Sequence, residues 1–238
     1  MRLAGQVAVV TGAGRGIGRA VATAFAREGA FVVLAARGAR EISLVQRYIE
    51  AAGGRALAVA TDVRQEPAVA ALVTRALAEG GRIDCLVTAA GLAAFGPVAD
   101  VKTADWDQLM AVNLRGAFLC CRAVLPTMTA QRSGTIINIG SVVTSRTLPG
   151  SAAYTAAKYG LLGFSRVLAE EMRGHGVRVG VLSAGATDTS LWDAVPTPPD
   201  RARMLKPEQI AEAALLMATL APGATLEEMT LLPQAGIL

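Results

Sequence analysis

The stretch Val7-Ala-Val-Val-Thr-Gly-Ala-Gly-Arg-Gly-Ile-Gly18 decides the fold expected of this 238-residue chain. It opens with a short apolar run rich in β-branched residues, which is typical of a buried strand. A glycine-rich turn follows directly, and Arg19 to Glu28 then read as a helix with these residues on its buried side: Ala20, Val21, Ala24 and Phe25. The sequence therefore predicts a strand, a glycine turn and a helix in immediate succession.

The glycine turn between that strand and that helix predicts a dinucleotide site. Gly12, Gly16 and Gly18 let the backbone turn tightly and approach a pyrophosphate. The helix N-terminus offers unpaired N–H groups and its dipole to the same anion. A glycine-rich turn with no ligand is the alternative interpretation of the motif.

A second stretch, Tyr154-Thr-Ala-Ala-Lys158, predicts an acid/base catalyst. A tyrosine and a lysine four residues apart share one face of a helix, so the ammonium can lie near the phenol and favour its ionised form. Because an unperturbed tyrosine has a pKa near ~10, such a charge would bring it into range for proton transfer at neutral pH. A surface pair on an ordinary helix is the alternative.

The chain resembles the classical short-chain dehydrogenase/reductase family over nearly its whole length. Its motifs lie in family order: Thr11-Gly12 to Gly18, Asp62, Ala89-Ala90-Gly91, Asn113, Ser141, Tyr154, Lys158, and Gly185 with Thr189. The resemblance implies that Tyr154 is the general acid in reduction and the base in oxidation, and that Lys158 lowers its pKa and holds the nicotinamide ribose. It implies that Ser141 hydrogen-bonds the substrate carbonyl oxygen, and that Asn113 anchors a water in the proton relay.

The same resemblance implies a set of cofactor-binding residues. They are Gly12, Arg15, Gly16, Ile17, Gly18, Arg37, Asp62, Val63, Ala90, Gly91, Tyr154, Lys158, Gly185, Thr187 and Thr189. The end of the second predicted strand favours NADP(H) over NAD(H), because Ala36 stands where an acidic residue would bind the ribose hydroxyls and Arg37 follows it. Arg15 offers a second cation to a 2′-phosphate.

Three of these cofactor residues have ordinary alternatives. Arg37 would look the same as a solvated loop arginine, and Arg15 is common in this loop whichever cofactor is bound. Asp62 resembles the family residue that bonds the adenine amine, although an aspartate that caps the next segment would give the same pattern.

The fold class predicted from the alternation of strands and helices is α/β. Strands are expected near residues 7–11, 31–36, 56–60, 84–88, 134–139, 177–182 and 228–232, and helices near 16–28, 40–52, 66–79, 104–130, 151–174 and 208–220. This pattern predicts one Rossmann-fold domain over 1–238, a doubly wound seven-stranded parallel sheet with helices on both faces. Burial of the strands by helices on both faces explains why 53% of the residues are hydrophobic.

Two departures from the family pattern concern the loops after the fourth and sixth strands. Ala89 replaces the usual asparagine, so a side-chain bond between central strands is missing, and Thr88 is expected to replace it in part. Ser183-Ala184-Gly185 stands where Asn-Pro-Gly is usual, which puts the rigidity of the nicotinamide-side loop in doubt.

Composition and charge exclude several classes of function. The net charge is +4, but the basic residues are scattered, so no nucleic-acid partner is expected. No apolar run approaching the ~18 residues of a membrane span and no signal peptide are recognised, so a cytoplasmic location is expected. Cys85, Cys120 and Cys121 lack metal-ligand spacing and are interpreted as buried thiols, so no metal is expected.

The residues expected around the substrate leave its identity open. A short lid is expected at about 189–206, including Pro196-Thr-Pro-Pro199, with Trp192 as lid packing or as a substrate platform. Arg146 would meet a substrate carboxylate or be an exposed loop arginine. Arg132 matches half of the docking patch of acyl-carrier reductases, whereas His175 occupies the other half and reads as a turn residue.

The function expected is NADP(H)-dependent reduction of a ketone or 3-oxoacyl group, free or carrier-linked, to a secondary alcohol, or the reverse. The alternatives are a dehydrogenase of a small 3-hydroxy acid or related alcohol, and a non-catalytic NADP(H)-binding sensor or scaffold. A homotetramer is expected, paired through the helices near 104–130 and 151–174. Ala235 to Leu238 would seal its second interface or form a frayed tail.

Overall fold

One parallel sheet forms the centre of the structure. In the computed structural model, which describes residues 1–195 and 198–236, seven strands β1 to β7 span Val7–Thr11, Phe31–Ala36, Arg55–Ala60, Cys85–Thr88, Gly134–Ser141, Val177–Ala184 and Glu228–Leu231. They pair in the order β3-β2-β1-β4-β5-β6-β7, all in parallel. The predicted doubly wound sheet is confirmed.

Helices cover both faces of this sheet. In the described part of the chain α1 to α7 span Gly16–Arg27, Ala39–Ala51, Glu66–Gly80, Thr103–Met110, Gly116–Gln131, Ala152–Arg173 and Pro207–Ala218. Helices α1, α2 and α7 contribute to one apolar core, and α3, α5 and α6 contribute to the other. In β1, Val10 belongs to the first core and Val9 to the second, which is why this strand reads as a continuous apolar run.

Two boundary predictions need correction. Strands β5 and β6 each run two residues further than 139 and 182, to Ser141 and Ala184, because both continue to pair in register to those residues. Ser141 is therefore the last residue of β5 and does not follow it. The helix expected at 104–130 is one helical run, but a π-helical turn at Ala111–Arg115 separates α4 from α5. Apolar periodicity does not reveal such a turn, which inserts one residue into the helical repeat.

Hydrogen bonds around Asn138 replace the bond lost at Ala89. The Thr88 hydroxyl at the end of β4 donates to Oδ1 of Asn138 on β5 at 2.6 Å. The Asn138 amide donates in turn to Ser165 Oγ on α6 at 2.8 Å, and Asn138 is fully buried. Thr88 thus ties the two central strands together, as the sequence suggested, and the network extends to the helix that carries Tyr154.

One helical run meets the length and composition criteria for a membrane span, which corrects the expectation that no stretch would. It covers Thr103–Gln131, and half of its most apolar portion is buried inside the fold. Its inner side includes Leu119, Cys121 and Val124, which pack in the core beneath the sheet. This packing is that of a core helix in a doubly wound fold.

The three cysteines are buried thiols, as predicted. Burial raises the pKa of Cys85 and of Cys120 to about 12. Burial also raises the pKa of Cys121, whose thiol lies 3.6 Å from Oδ1 of Asn138. Because the thiolate is the reactive form, these side chains are inert at neutral pH.

Candidate active site

Two cavities meet at the carboxyl end of the sheet, where the strand order reverses between β1 and β4. The first has a volume of about 220 Å³ and the second about 500 Å³. Gly12, Arg15, Gly91 and Leu92 line both, so the two form one groove across the glycine turn. Ligands of open α/β sheets bind at this position.

The predicted cofactor residues all line this groove. The first cavity is lined by Gly12, Arg15, Gly16, Ile17, Gly18, Gly91, Tyr154, Lys158, Gly185, Thr187 and Thr189. The second is lined by Gly12, Arg15, Arg37, Asp62, Val63, Ala90 and Gly91. The fold therefore brings together residues that are up to 177 positions apart, from Gly12 to Thr189.

Close backbone approaches require glycine at two positions of the turn. A Cβ on Gly18 would lie 2.3 Å from the carbonyl oxygen of Gly12, and one on Gly12 would lie 2.7 Å from that of Ala89. Gly12 also has a φ of 66°. Among the described side chains none caps the N-terminus of α1, so its first N–H groups are available to an anion beside the cavity. This cradle fits a dinucleotide pyrophosphate.

The second cavity carries charges of both signs. Arg37 is exposed at the end of β2, and Arg15 lies on the adjoining glycine turn. Glu41, in the first turn of α2, lines the same cavity and was not predicted. Its carboxylate lies against Gly38, since a Cβ built there would be 2.5 Å from Oε2. The sequence signal for Glu41 was an acidic residue five positions beyond Ala36. The first turn of α2 places that residue in the lining of the second cavity.

Asp62 is held by its neighbour Arg64. Both carboxylate oxygens accept hydrogen bonds from the guanidinium, at 2.6 to 3.0 Å, and Oδ1 also accepts from the Arg64 N–H. The Arg64 hydrogen bond is the main cause that lowers the pKa of Asp62. The aspartate therefore closes the turn before α3, whose N-cap is Gln65 and has no side-chain cap, and it also lines the second cavity. Its bond to the adenine amine stays a prediction.

Ser141, Tyr154 and Lys158 meet in the first cavity. Ser141 ends β5, Tyr154 lies in the first turn of α6, and Lys158 follows one turn later. The Lys158 Nζ donates to the carbonyl oxygen of Ile139 at 2.7 Å and lies 5.7 Å from the centre of the Tyr154 ring. Helix α6 thus presents both side chains to the end of β5.

Burial, and not Lys158, dominates the ionisation of Tyr154, which corrects one expectation. The pKa of Tyr154 lies above its usual value because burial penalises the phenolate, and the Ser141 hydroxyl offsets only part of this. Burial also lowers the pKa of Lys158, to about 8. The lowering expected from Lys158 is absent because its ammonium is itself desolvated and bonded to a carbonyl oxygen.

Asn113 lies in the π-helical turn and does not line either cavity. Its Oδ1 accepts from the Leu92 N–H and its amide donates to the Leu92 carbonyl oxygen, both at 2.8 Å. The side chain therefore holds the loop after β4, one residue beyond Gly91. Its role in anchoring a water stays a prediction.

Backbone contacts tie down the loop after β6, whose rigidity the sequence left in doubt. The Gly185 N–H donates to the Leu231 carbonyl oxygen at 2.8 Å, and the Thr187 hydroxyl donates to the Gly185 carbonyl oxygen at 2.9 Å. Thr187 also forms a β-bridge with Leu205. These contacts compensate for the absent proline.

Trp192 packs in the lid and lines the first cavity, and its role as a substrate platform stays a prediction. Its indole N–H donates to the Thr187 carbonyl oxygen at 3.0 Å, and its ring stacks on Phe95 beside the first cavity. Phe95 was not predicted, since a phenylalanine in the loop after β4 carries no motif. Of the expected lid, Pro196 and Thr197 lie outside the described residues.

Three basic residues left open by the sequence lie at different places. Arg146 is exposed at the rim of the first cavity, where its guanidinium donates to the Ser145 carbonyl oxygen at 3.0 Å. Arg132 and His175 lie at the amino end of the sheet, just before β5 and β6. His175 is a turn residue, as interpreted, and Arg132 donates to the Gly174 carbonyl oxygen at 3.3 Å.

Comparisons with known proteins agree with this geometry. The short chain dehydrogenase family model matches residues 6–199. A 3-oxoacyl-[acyl-carrier-protein] reductase FabG of Thermotoga maritima is 32% identical over 227 residues, 92% of each chain. A D-threitol dehydrogenase of Mycolicibacterium smegmatis is 37% identical, covering 92% of this chain and 87% of the relative. A metagenomic short-chain oxidoreductase crystallised with NADP is 42% identical, with a TM-score of 0.86 over 98% of this chain and 100% of that one.

The buried ammonium predicts a stability gain for Lys158→Met in the nucleotide-free protein. Because the pKa of Lys158 falls from 10.5 to about 8, the folded state binds fewer protons than the unfolded state between those values. Wild type is therefore destabilised below pH 8. At pH 7 the free energy of unfolding of the variant should be about 1–2 kcal/mol higher than that of wild type, once the lost hydrogen bond to the Ile139 carbonyl oxygen is subtracted. This difference in the free energy of unfolding should vanish as the pH rises towards 10.5. Denaturant unfolding of both proteins over a range of pH gives the measurement. A wild type more stable than the variant at pH 7 would contradict this.

Proposed function

We propose that this chain, which belongs to the short-chain dehydrogenase/reductase family, is an NADP(H)-dependent oxidoreductase that reduces a ketone or 3-oxoacyl group to a secondary alcohol. The observation that carries the proposal is the meeting of Ser141, Tyr154 and Lys158 in a cavity continuous with the glycine turn. The comparisons show that the chain is an oxidoreductase of this family. Its substrate and its cofactor preference are our inference.

The chain supplies a proton and an orienting hydrogen bond at the reacting carbonyl. A bound nicotinamide cofactor would supply the hydride that adds to the carbonyl carbon. The Tyr154 hydroxyl gives its proton to the carbonyl oxygen as the double bond is reduced, and Ser141 hydrogen-bonds the same oxygen. Lys158 lies beside them on α6 to hold the nicotinamide ribose.

The Tyr154 hydroxyl can serve either direction, as the proton donor in reduction and, once ionised, as the base in oxidation. We place carbonyl reduction ahead of dehydrogenation of a 3-hydroxy acid or related alcohol, in line with the 3-oxoacyl-[acyl-carrier-protein] reductase of Thermotoga maritima to which this chain is similar.

A non-catalytic sensor or scaffold is the weaker candidate. A protein that only binds the nucleotide has a use for Lys158 at the ribose, but it has no need of Ser141 and Tyr154 in the same cavity. A panel of ketones and 3-oxoacyl substrates, free and carrier-linked, assayed by cofactor oxidation, separates the two candidates. The panel also tests whether the substrate is carrier-linked. Of the two positions expected to form the docking patch for an acyl carrier, one holds Arg132 and the other His175.

The preference for NADP(H) is proposed from the charges around the second cavity. Arg37 and Arg15 offer two cations to a 2′-phosphate, and Ala36 presents no competing carboxylate at the end of β2. Glu41 opposes them from α2, so the preference rests on a balance of charges. The NADP-bound neighbour is consistent with this proposal.

We also propose a cytoplasmic homotetramer paired through α5 and α6. Part of the apolar content of these two helical runs turns inward and is buried, namely Val112, Ala117, Leu119, Leu161 and Leu168. Phe118 and Phe164 pack edge to face on the outer side at 5.9 Å, where Tyr159 and Val167 are also exposed. An isologous partner would cover this apolar face. For the second interface, Ile237 and Leu238 lie outside the described residues.

Replacement of Tyr154 by phenylalanine should abolish most of the turnover. The ring is preserved and the proton donor is lost, so kcat should fall by about 10² or more while cofactor affinity changes little. Tyr48→Phe is the control, because this tyrosine is exposed on α2, outside both cavities and outside the proposed interface. Steady-state kinetics with saturating NADPH give the measurement, and near-normal turnover of Tyr154→Phe would defeat the mechanism.

The double change Ala36→Asp, Arg37→Ala should move cofactor preference towards NAD(H) by about 1–3 kcal/mol, the scale of a hydrogen bond to a charged group. It removes an attraction for the 2′-phosphate and adds a repulsion. Glu41→Gln should shift the preference in the opposite direction, and Arg47→Ala, on the exposed side of α2, is the control. Dissociation constants for NADPH and NADH test this prediction. If their ratio is the same in the variants as in wild type, the 2′-phosphate binds elsewhere.

Charge placed on the outer face of α6 should break the oligomer. Val167→Glu buries a carboxylate in the proposed interface, so the mass by light scattering should drop from a tetramer towards a dimer or a monomer. Leu44→Glu, at an exposed leucine of α2, should leave the assembly unchanged. A wild-type mass of one 24.5 kDa chain would refute the proposal.

A further inference from the structure

A pair of stacked aromatic rings stands beside the Tyr154 side chain. The rings of Phe95 and Trp192 are nearly parallel, 9° apart, with centres separated by 5.8 Å. At that separation parallel rings are displaced sideways, so part of each face is left uncovered. The Phe95 ring centre lies 6.5 Å from that of Tyr154. The uncovered faces therefore adjoin the proton donor.

Each ring is held in place by a backbone contact from its own loop. The Trp192 indole donates to the Thr187 carbonyl oxygen at 3.0 Å, which fixes the plane of the ring. The loop that carries Phe95 is tied to the loop before α6, because the Gly96 N–H donates to the Gly150 carbonyl oxygen at 2.8 Å. Both rings are half-buried and line the first cavity. The stack is thus a positioned wall and not a loose surface pair.

The remaining wall of this cavity is mainly apolar. Leu92, Val143, Leu148 and Leu232 contribute to it. Among the described residues, none that lines it carries a carboxylate, an amide or an imidazole. The Thr187 hydroxyl is already used on the Gly185 carbonyl oxygen. The other polar groups of the lining are side-chain hydroxyls, the Lys158 ammonium and the guanidinium groups of Arg15 and Arg146.

Resting on the function proposed above, we propose that the substrate is an aryl ketone whose planar ring lies against Phe95 and Trp192 while its carbonyl lies at Tyr154 and Ser141. A flat apolar group gains stacking contact with the uncovered ring faces, which a saturated group of the same size does not. In the reaction the ketone gains a hydride from the reduced cofactor and a proton from Tyr154. It becomes a benzylic secondary alcohol as the cofactor is oxidised.

Acetophenone and cyclohexyl methyl ketone form the test pair, because they match in size and only acetophenone has a planar ring. Conjugation makes the acetophenone carbonyl the less reactive of the two towards hydride, so a higher kcat/KM on acetophenone has to come from contacts in the site. Wild type should show a kcat/KM for acetophenone about three- to tenfold higher, the scale of an aromatic pair. Trp192→Leu and Phe95→Leu should each bring this ratio towards one, largely by loss on the aryl substrate. Tyr48→Leu, at an exposed tyrosine of α2, is the control and should leave the ratio unchanged.

The outcomes separate this inference from the proposed function. A wild-type ratio near one, or a ratio that Trp192→Leu and Phe95→Leu leave unchanged, overturns the aryl proposal. If the enzyme reduces short alkanones or 3-oxoacyl thioesters but not acetophenone, the function stands and the aryl proposal falls.

If no carbonyl compound is reduced, the proposed function falls, and ligand-observed NMR with NADP⁺ decides the inference. Stronger binding of acetophenone than of cyclohexyl methyl ketone, lost in Trp192→Leu, supports it. Equal binding of the two ketones overturns it.

Discussion

Burial of the parallel sheet on both faces is the constraint on which the rest of this structure depends. Every residue of β1 from Val7 to Thr11 is buried, and its side chains alternate between two cores. The strand ladder satisfies the backbone within the sheet, and at the carboxyl ends it stops. The glycine turn, Ser141 and Gly185 lie at or just beyond those ends, so the chemistry gathers along one edge of the fold.

The same burial shapes the acid/base group. It raises the pKa of Tyr154 and lowers that of Lys158, because each side chain is pushed towards its neutral form. The hydrogen bond to the Ile139 carbonyl oxygen offsets part of the cost of burying the lysine. Desolvation by the fold therefore sets the direction of both pKa shifts.

At the other end of the groove, opposed charges replace desolvation as the governing effect. Arg37 is exposed and hence screened by solvent, Asp62 is engaged by Arg64, and the Glu41 carboxylate lies beside Gly38 and Gly14 in the same cavity. A nucleotide phosphate would meet a mixed field and not a uniformly positive one.

The sequence by itself was sufficient to predict the sheet, its strand count and many of the residues that line the groove, but not Glu41 or Phe95. Apolar periodicity reports burial, and the glycine turn requires close backbone approach, as Gly18 against the Gly12 carbonyl oxygen shows. Local patterns also identified Tyr154 and Lys158 as neighbours on one helical face. They did not give the direction of the Tyr154 pKa, because spacing along a helix carries no information about desolvation.

Only the tertiary structure decided which distant groups meet. Phe95 and Trp192 stack although 97 positions separate them, and Glu41 on α2 joins Arg37 in the lining of the second cavity. The sequence suggested that Thr88 would tie the central strands, but only the pairing of β4 with β5 showed that its partner is Asn138. Such contacts depend on how loops close over the sheet, and that closure is fixed by packing between elements far apart in the chain and not by any local pattern.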